Sequence, residues 1–358
     1  MRPMLTRPKE AAPRPAAISL WLLFVAALVL AMIVVGGITR LTESGLSIVH
    51  WEPVSGILPP IGEAEWQAAF DAYRTSPQYQ LVNRGMTMVE FQNIYFWEYV
   101  HRLLGRVIGL AFALPLLFFW WRRAIPAGWG RRLVILLVLG GMQGVIGWWM
   151  VASGLVERPE VSHIRLAIHL LMALFIFGLL IWTALDMQRL AEDPAAKAAR
   201  MPTLAIWTLS ILFLQFLFGA YVAGLEAGYA FNTWPKMGDE WFPAGAPMEG
   251  GLLADLGDNP LVVQFIHRWL AFGVAAFVVA LAVKAWRSGR YGAASAMLSA
   301  VTIQIMLGIL TLLTGVDIDV AVAHQAMAAM LLGAIVFAAH GLGTDERPGR
   351  ATLEPATA

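Results

Sequence analysis

The sequence predicts an all-α, polytopic membrane protein whose eight transmembrane helices form two tandem, pseudo-symmetric four-helix bundles. Of its 358 residues, 59% are hydrophobic and only 14% are charged, whereas charged residues make up about a quarter of a typical soluble domain. Several apolar stretches reach about 20 residues, the length at which a helix crosses the hydrocarbon core of a bilayer. A His-Arg pair near the start of an apolar run occurs twice, which indicates an internal repeat.

Charge and cysteine content exclude several classes of function. The formal net charge is +1, and the sequence contains no long basic run, so no nucleic-acid partner is expected. The chain has no cysteine. This excludes disulfides, thiolate metal sites and a thiol nucleophile. The bilayer is therefore the first partner that the composition predicts.

The N-terminal region predicts a tail, a span and a long loop. Residues 1–17 are rich in proline and alanine and predict a flexible cytoplasmic tail. The apolar run at 18–38 is too long for a signal-peptide core and lacks a clear cleavage site, so it predicts the first span. In the polar loop 39–92, the amphipathic stretch 63–73 predicts a short helix on the membrane surface.

The rest of the chain predicts seven further spans with a consistent orientation. They lie at 93–121, 133–153, 161–187, 203–225, 260–286, 293–314 and 320–340. Basic residues cluster in the two tails and at 122–132, 189–200 and 284–290. By the positive-inside rule both termini are cytoplasmic, and both long loops are outside. The chain is thus expected to be a multi-pass protein of a bacterial-type inner membrane.

The spans divide into two similar halves. Each half has a first span, a long outer loop, a second span with His-Arg near its outer end, and two more spans. An even number of spans gives both halves the same orientation. The predicted units are an N-terminal bundle at 18–188, a cytoplasmic linker at 189–200, a C-terminal bundle at 201–342 and a cytoplasmic tail at 343–358. Small residues at matched points would let the helices approach closely.

Four of the seven histidines occupy matched places, in the second and fourth spans of each half: His101, His169, His267 and His324. At about 1.5 Å per residue, all four lie roughly 10–12 Å below the outer surface. Two imidazoles on different helices at one depth suit a haem with two axial histidines. A single histidine in a membrane helix is often only an interhelical hydrogen bonder, but four matched ones favour haem. No ligand role is expected for His50, His163 and His340.

One acidic residue distinguishes the halves. Glu98 lies three residues before His101, so both side chains share a helix face, and Gln264 occupies the matched place in the second half. Because a membrane carboxylate is costly and usually functional, the first half is predicted to be catalytic and the second to be a fixed redox or structural site. A 2-His-1-carboxylate metal site is an alternative in the first half only. Another is that Glu98 merely stabilises a helix N-terminus.

An arginine follows the first histidine of each half. Arg102 and Arg268 are predicted to pair with haem propionates, which need cations at that depth. The alternative is that both side chains point toward the outer headgroups and anchor the helices at the membrane interface.

The chain resembles the haem A synthase family over nearly its whole length. The resemblance is carried by GGITRLTESGLS at 36–47, EYVHRLLGR at 98–106 and NTWP at 232–235, and the paired His169 and His324 complete it. It implies a membrane enzyme that oxidises the methyl group at C8 of haem O to the formyl group of haem A by successive hydroxylations. That product serves the assembly of haem-copper cytochrome oxidase.

The resemblance also implies roles for individual residues. His101 and His169 would hold the iron of the substrate haem, Glu98 would be the essential acid, and His267 and His324 would ligate the iron of a haem b. It implies haem O synthase and cytochrome oxidase assembly factors as partners. Some members carry two cysteines in the first outer loop, and this chain has none. A thiol route for electrons is therefore absent, the electron donor is unknown, and a homo-oligomer is left open.

Two other functions are compatible with the residues. One is a dihaem electron-transfer protein that takes electrons from quinol and performs no chemistry on its haem. The other is a haem carrier or chaperone for oxidase assembly. The identity of the bound pigments distinguishes them, because only the enzyme holds haem O, haem A or a hydroxylated form beside haem b.

Overall fold

The computed structural model describes residues 12–50, 56–156, 159–243 and 251–345. Within these ranges the regular structure is helical, apart from one isolated bridge between Met237 and Glu240. The α-helices are α1 (Pro15–Leu41), α2 (Glu63–Arg74), α3 (Pro77–Leu81), α4 (Met88–Trp121), α5 (Gly130–Ala152), α6 (His163–Glu192), α7 (Thr203–Gly224), α8 (Leu252–Asp258), α9 (Pro260–Arg287), α10 (Tyr291–Leu313) and α11 (Ile318–Asp345).

Eight of the described helices are long and apolar enough to cross a membrane, namely α1, α4, α5, α6, α7, α9, α10 and α11. The predicted fold class is therefore confirmed. In the first half α1, α4, α5 and α6 contact one another in a ring, and α7, α9, α10 and α11 do so in the second. This arrangement is consistent with two tandem bundles. The halves meet along α1, α6, α7 and α11, and one continuous apolar core runs through both.

Helix α4 begins at Met88, earlier than the predicted residue 93. Its start is a capping box, in which Thr87 and Glu90 each bond the other's backbone N–H. The added residues pack under the loop before α4, where Phe91 stacks on Phe70 and Tyr73 of α2. The cap and this aromatic contact stabilise the added turn.

The internal repeat is visible in the backbone beyond α1 and α7. Glu43 and Glu226 both have φ 52° and ψ 26°, and each precedes a single 3-10 turn. Arg40 joins the two copies, because its Nη2 donates to the Ala223 carbonyl and lies 3.2 Å from Glu226 Oε1. Burial and the neighbouring Glu226 carboxylate raise the pKa of Glu43. The two halves are therefore tied together at their outer ends.

A buried polar cluster ties the halves at the opposite end. The carboxylate of Asp186 on α6 accepts from Arg132 Nη1 at 2.6 Å, from His340 Nε2 at 3.0 Å and from the Ala199 N–H at 2.9 Å. His340 lies on α11, so the cluster links three spans and the predicted linker. A buried carboxylate needs such partners. As expected, His340 is not with the four matched histidines.

The spans α1 and α11 cross closely at Gly37. A Cβ at this glycine would lie 2.9 Å from Gln325 Oε1, and Gln325 Nε2 donates to the Ile33 carbonyl at 2.7 Å. An amide that bonds a backbone carbonyl of a neighbouring helix stabilises such a crossing in an apolar environment. The contact sets the position of α1 against the second half.

Candidate functional site

Two of the four matched histidines lie ring to ring in the second half. The rings of His267 on α9 and His324 on α11 have centroids 6.5 Å apart and planes inclined by 85°. In the first half, His101 lies on α4 and His169 on α6. The pairing of His101 with His169 stays a prediction.

Each of these histidine rings lies against a glycine of the preceding span. A Cβ added to Gly36 would lie 3.5 Å from His101 Nε2. A Cβ added to Gly147 would lie 2.8 Å from His169 Cε1. In the second half, a Cβ would lie 2.9 Å from His267 Cε1 if added to Gly219, and 2.8 Å from His324 Cε1 if added to Gly308. At the last three positions a methyl group would overlap the ring. The small residues that the sequence suggests for helix contact therefore also make room for imidazoles.

The Glu98 carboxylate is buried, with 2% of the residue exposed. It accepts hydrogen bonds from Ser47 Oγ at 2.7 Å and from the Ile48 N–H at 2.8 Å. Arg102, one turn further along α4, donates to it through Nε at 3.0 Å and Nη2 at 2.6 Å. A buried charge pair of this kind is stable only while both partners and their hydrogen bonds are present. Glu98 thus links α4 to the loop that follows α1.

Both predicted arginines bond the outer loops. Arg102 donates to the carbonyls of Ile48 and His50, at 2.7 and 3.1 Å. Arg268 donates to the corresponding carbonyls of Phe231 and Thr233, at 2.8 and 2.7 Å. With 5% of its surface exposed, Arg268 does not reach toward headgroups as the anchoring alternative requires. The predicted pairing with propionates stays a prediction.

The place of Glu98 is occupied differently in the second half. Gln264 donates through Nε2 to the Phe231 carbonyl at 3.0 Å, and its Oε1 is buried without a partner among the described residues. In the sequence, Ala230 stands before Phe231 where Ser47 stands before Ile48. The first half therefore has a carboxylate with a hydroxyl donor, and the second has an amide without one.

The donor sets favour a porphyrin over a bare metal ion. Among the described residues no group of three or more His, Cys, Asp or Glu side chains could hold a metal ion, so the 2-His-1-carboxylate alternative has no support. His169 Nδ1 is buried and has no partner in the described part of the chain. Two imidazoles alone are sufficient for haem iron, because the porphyrin supplies the other four nitrogens.

Comparison with known proteins identifies the family of the chain. A family model described as a cytochrome oxidase assembly protein, COX15-CtaA, matches residues 19–336. The chain belongs to this family. A protein named haem A synthase from Rhizorhabdus wittichii is 57% identical over 95% of this chain and 98% of its own length. Proteins of the same name from Sphingopyxis alaskensis and Rhodospirillum centenum are 50% and 46% identical, over 93% and 96% of this chain and 94% and 93% of their own lengths.

Three half-buried glutamines lie beside the histidines and were not predicted from the sequence. Gln143, Gln215 and Gln304 each precede by four residues a glycine that faces a histidine. Residues four apart share a helix face, so the recurring spacing was a visible signal. It was missed because a glutamine in a span also fits plain helix association.

Proposed function

We propose that this member of the cytochrome oxidase assembly family is a haem A synthase. The enzyme oxidises the C8 methyl of haem O to a formyl group through two hydroxylations, after which the geminal diol loses water. The observation that carries the proposal is the difference between the matched helices α4 and α9: α4 has the buried Glu98 carboxylate beside His101, whereas α9 has Gln264 beside His267. The chain is also 57% identical to a protein of that name over nearly its full length.

In this proposal the N-terminal bundle, 18–188, holds the iron of haem O between His101 and His169. The C-terminal bundle, 201–342, holds the iron of haem b between His267 and His324. The rings of His267 and His324 lie 6.5 Å apart, and both would be available to hold a haem iron. When bound, haem b supplies one-electron redox chemistry.

Glu98 is proposed as the catalytic acid of the first half. Arg102 and Ser47 Oγ orient its carboxylate through their hydrogen bonds. In this position the carboxylate acts as a proton relay or stabilises positive charge that develops on the substrate. Arg102 and Arg268 are proposed to bind the propionates, since a guanidinium cation forms strong charge-assisted hydrogen bonds with a carboxylate.

Identification of the bound pigments tests the proposal against its two alternatives. Haems are extracted from the purified protein and identified by mass. The enzyme should contain haem O, haem A or a hydroxylated form together with haem b. Haem b alone in both sites would support a dihaem electron carrier and contradict the proposed activity.

A methyl group at Gly147 is expected to remove the haem of the first half selectively. The Cβ of Gly147→Ala would lie 2.8 Å from His169 Cε1, so the ring must leave its position. Alanine favours a helix over glycine by about 1 kcal/mol, and the fold should persist. Extraction should show loss of most haem O and haem A with haem b retained. Gly144→Ala is the matched control, because nothing lies within 4 Å of its Cβ; equal haem content in both variants would contradict the role of His169.

We also propose a bacterial inner membrane as the location, with both termini in the cytoplasm and the long loops outside. Fusions of a phosphatase that is active only outside should be active after residues 70 and 317 and inactive after 127, 195 and 289. A fluorescent reporter that matures only in the cytoplasm should show the opposite pattern. One loop with a reversed signal would contradict the eight-span orientation.

The family is one of cytochrome oxidase assembly proteins. We propose more specifically that haem O synthase delivers the substrate and that oxidase assembly factors receive the product, with a separate electron donor. A homo-oligomeric form is compatible with these roles.

A further inference from the structure

We propose that Gln143, Gln215 and Gln304 position three of the four histidines, and that His101, which lacks such a glutamine, is the iron ligand that detaches when the substrate haem enters and leaves. This inference rests on the proposed function. The two histidines of the first site thereby have different roles, since His169 stays bound to the iron and His101 detaches. The symmetric pairing of histidines does not predict this difference.

Each glutamine amide lies beside its histidine, although the ring nitrogen that it contacts differs. Gln143 Nε2 donates to the His169 carbonyl at 2.9 Å and lies 3.5 Å from its Nε2. Gln215 Nε2 donates to the His267 carbonyl at 2.9 Å and lies 3.1 Å from its Nδ1. The remaining pair keeps only the ring contact: Gln304 Nε2 lies 3.2 and 3.4 Å from the two ring nitrogens of His324.

The amide oxygens supply what an iron-bound imidazole needs. When one ring nitrogen binds a metal, the other carries a proton, and its N–H requires an acceptor that orients the ring. Oε1 of each of the three glutamines is buried and has no partner among the described residues. Rotation of the Gln304 amide exchanges its oxygen and nitrogen and would offer that acceptor. At Gln143 and Gln215 the same rotation would give up the bond to the histidine carbonyl, so their amide nitrogens hold the helices while the oxygen lies beside them.

His101 has no comparable neighbour. Its facing glycine is Gly36, and the residue four places earlier is Met32. The Met32 methyl packs near Gly105, 3.5 Å from the place of a Cβ there. Methionine has no hydrogen-bond donor and only a weak sulfur acceptor. Within the described ranges His101 has no hydrogen-bond partner.

The difference matches what each site has to do. A substrate site must take up haem O and release haem A, so at least one axial ligand has to detach in every cycle. A resident haem b needs both ligands to stay, and both His267 and His324 have a glutamine. An imidazole without a bonded second nitrogen is less basic and freer to rotate, so His101 is the ligand that detaches first while His169 holds.

Reciprocal substitutions test the assignment. Purified protein is mixed with excess apomyoglobin as the haem acceptor, and the rate at which each pigment leaves is followed by absorbance and mass. Met32→Gln should slow release of the first-site haem about tenfold relative to Met32→Leu, and Gln215→Met should speed release of haem b about tenfold. Haem b retained in the Met32 variants shows that the fold is intact.

The outcomes separate this inference from the proposed function. If Met32→Gln releases the first-site haem as fast as Met32→Leu, His101 is not the detaching ligand. If Gln215→Met holds haem b as the unaltered chain does, the glutamines do not position the histidines. If Met32→Gln does not fold, Gln143→Met is measured instead. Loss of this glutamine should speed release of the first-site haem, and an unchanged rate would contradict the inference. A chain that binds no haem O or haem A at all contradicts the proposed function itself.

Discussion

Glu98→Gln is expected to lower conversion of haem O to haem A by about 100-fold or more, while both haems stay bound. The substitution gives the first half the side chain that the second half has at Gln264, with the same shape and no charge. Catalysis by a positioned acid or base depends on its charge and proton, whereas iron ligation by His101 and His169 does not. Haem O, with some of the singly hydroxylated form, should accumulate in the purified protein.

Two control variants separate chemistry from loop anchoring, because Glu98 also holds the loop through Ser47 and Ile48. Ser47→Ala removes one loop bond and keeps the carboxylate, so it should retain most activity. Gln264→Glu should add no activity and should weaken haem b binding, since it places an unpaired charge in the membrane. If Ser47→Ala loses as much activity as Glu98→Gln, the carboxylate acts by anchoring. Full activity of Glu98→Gln would show that it has no role in the reaction.

His267→Ala or His324→Ala is expected to remove nearly all haem b and leave haem O in the first half. The two rings lie 6.5 Å apart, and loss of either leaves an iron with one imidazole. The other pair belongs to a different set of helices, so its ligands stay in place. Pigments are measured by extraction and mass, and the low-spin spectrum of haem b should disappear.

His50→Ala is the matched control for histidine loss, because the described contact of His50 uses only its backbone carbonyl. It should retain both pigments. The reciprocal variants His101→Ala and His169→Ala should lose haem O and keep haem b. If every single substitution removes both pigments equally, the two halves are not separate sites.

Much of the site was predictable because its features recur along the chain. Span length follows from the thickness of the bilayer, and the His-Arg pair appears twice in matched spans, which made the four histidines stand out. The contacts of Arg102 and Arg268 were not predictable in the same way. Their partners are carbonyls of loop residues such as Ile48 and Phe231, and a carbonyl has no signature in the sequence.

The sequence by itself determined the eight spans, the two similar halves, the four histidines and the carboxylate of Glu98 beside one of them. Each of these depends on residue type and spacing along one helix, which hydrophobicity and helical periodicity control. Only the tertiary structure decided that the Glu98 carboxylate is bonded to Arg102 and the loop. It also decided that the imidazole rings pack against glycines of neighbouring helices. Finally, it showed that three histidines lie beside a glutamine while His101 does not. These contacts join residues far apart in the chain, and they form because packed helices must satisfy every buried polar group and leave room for every ring.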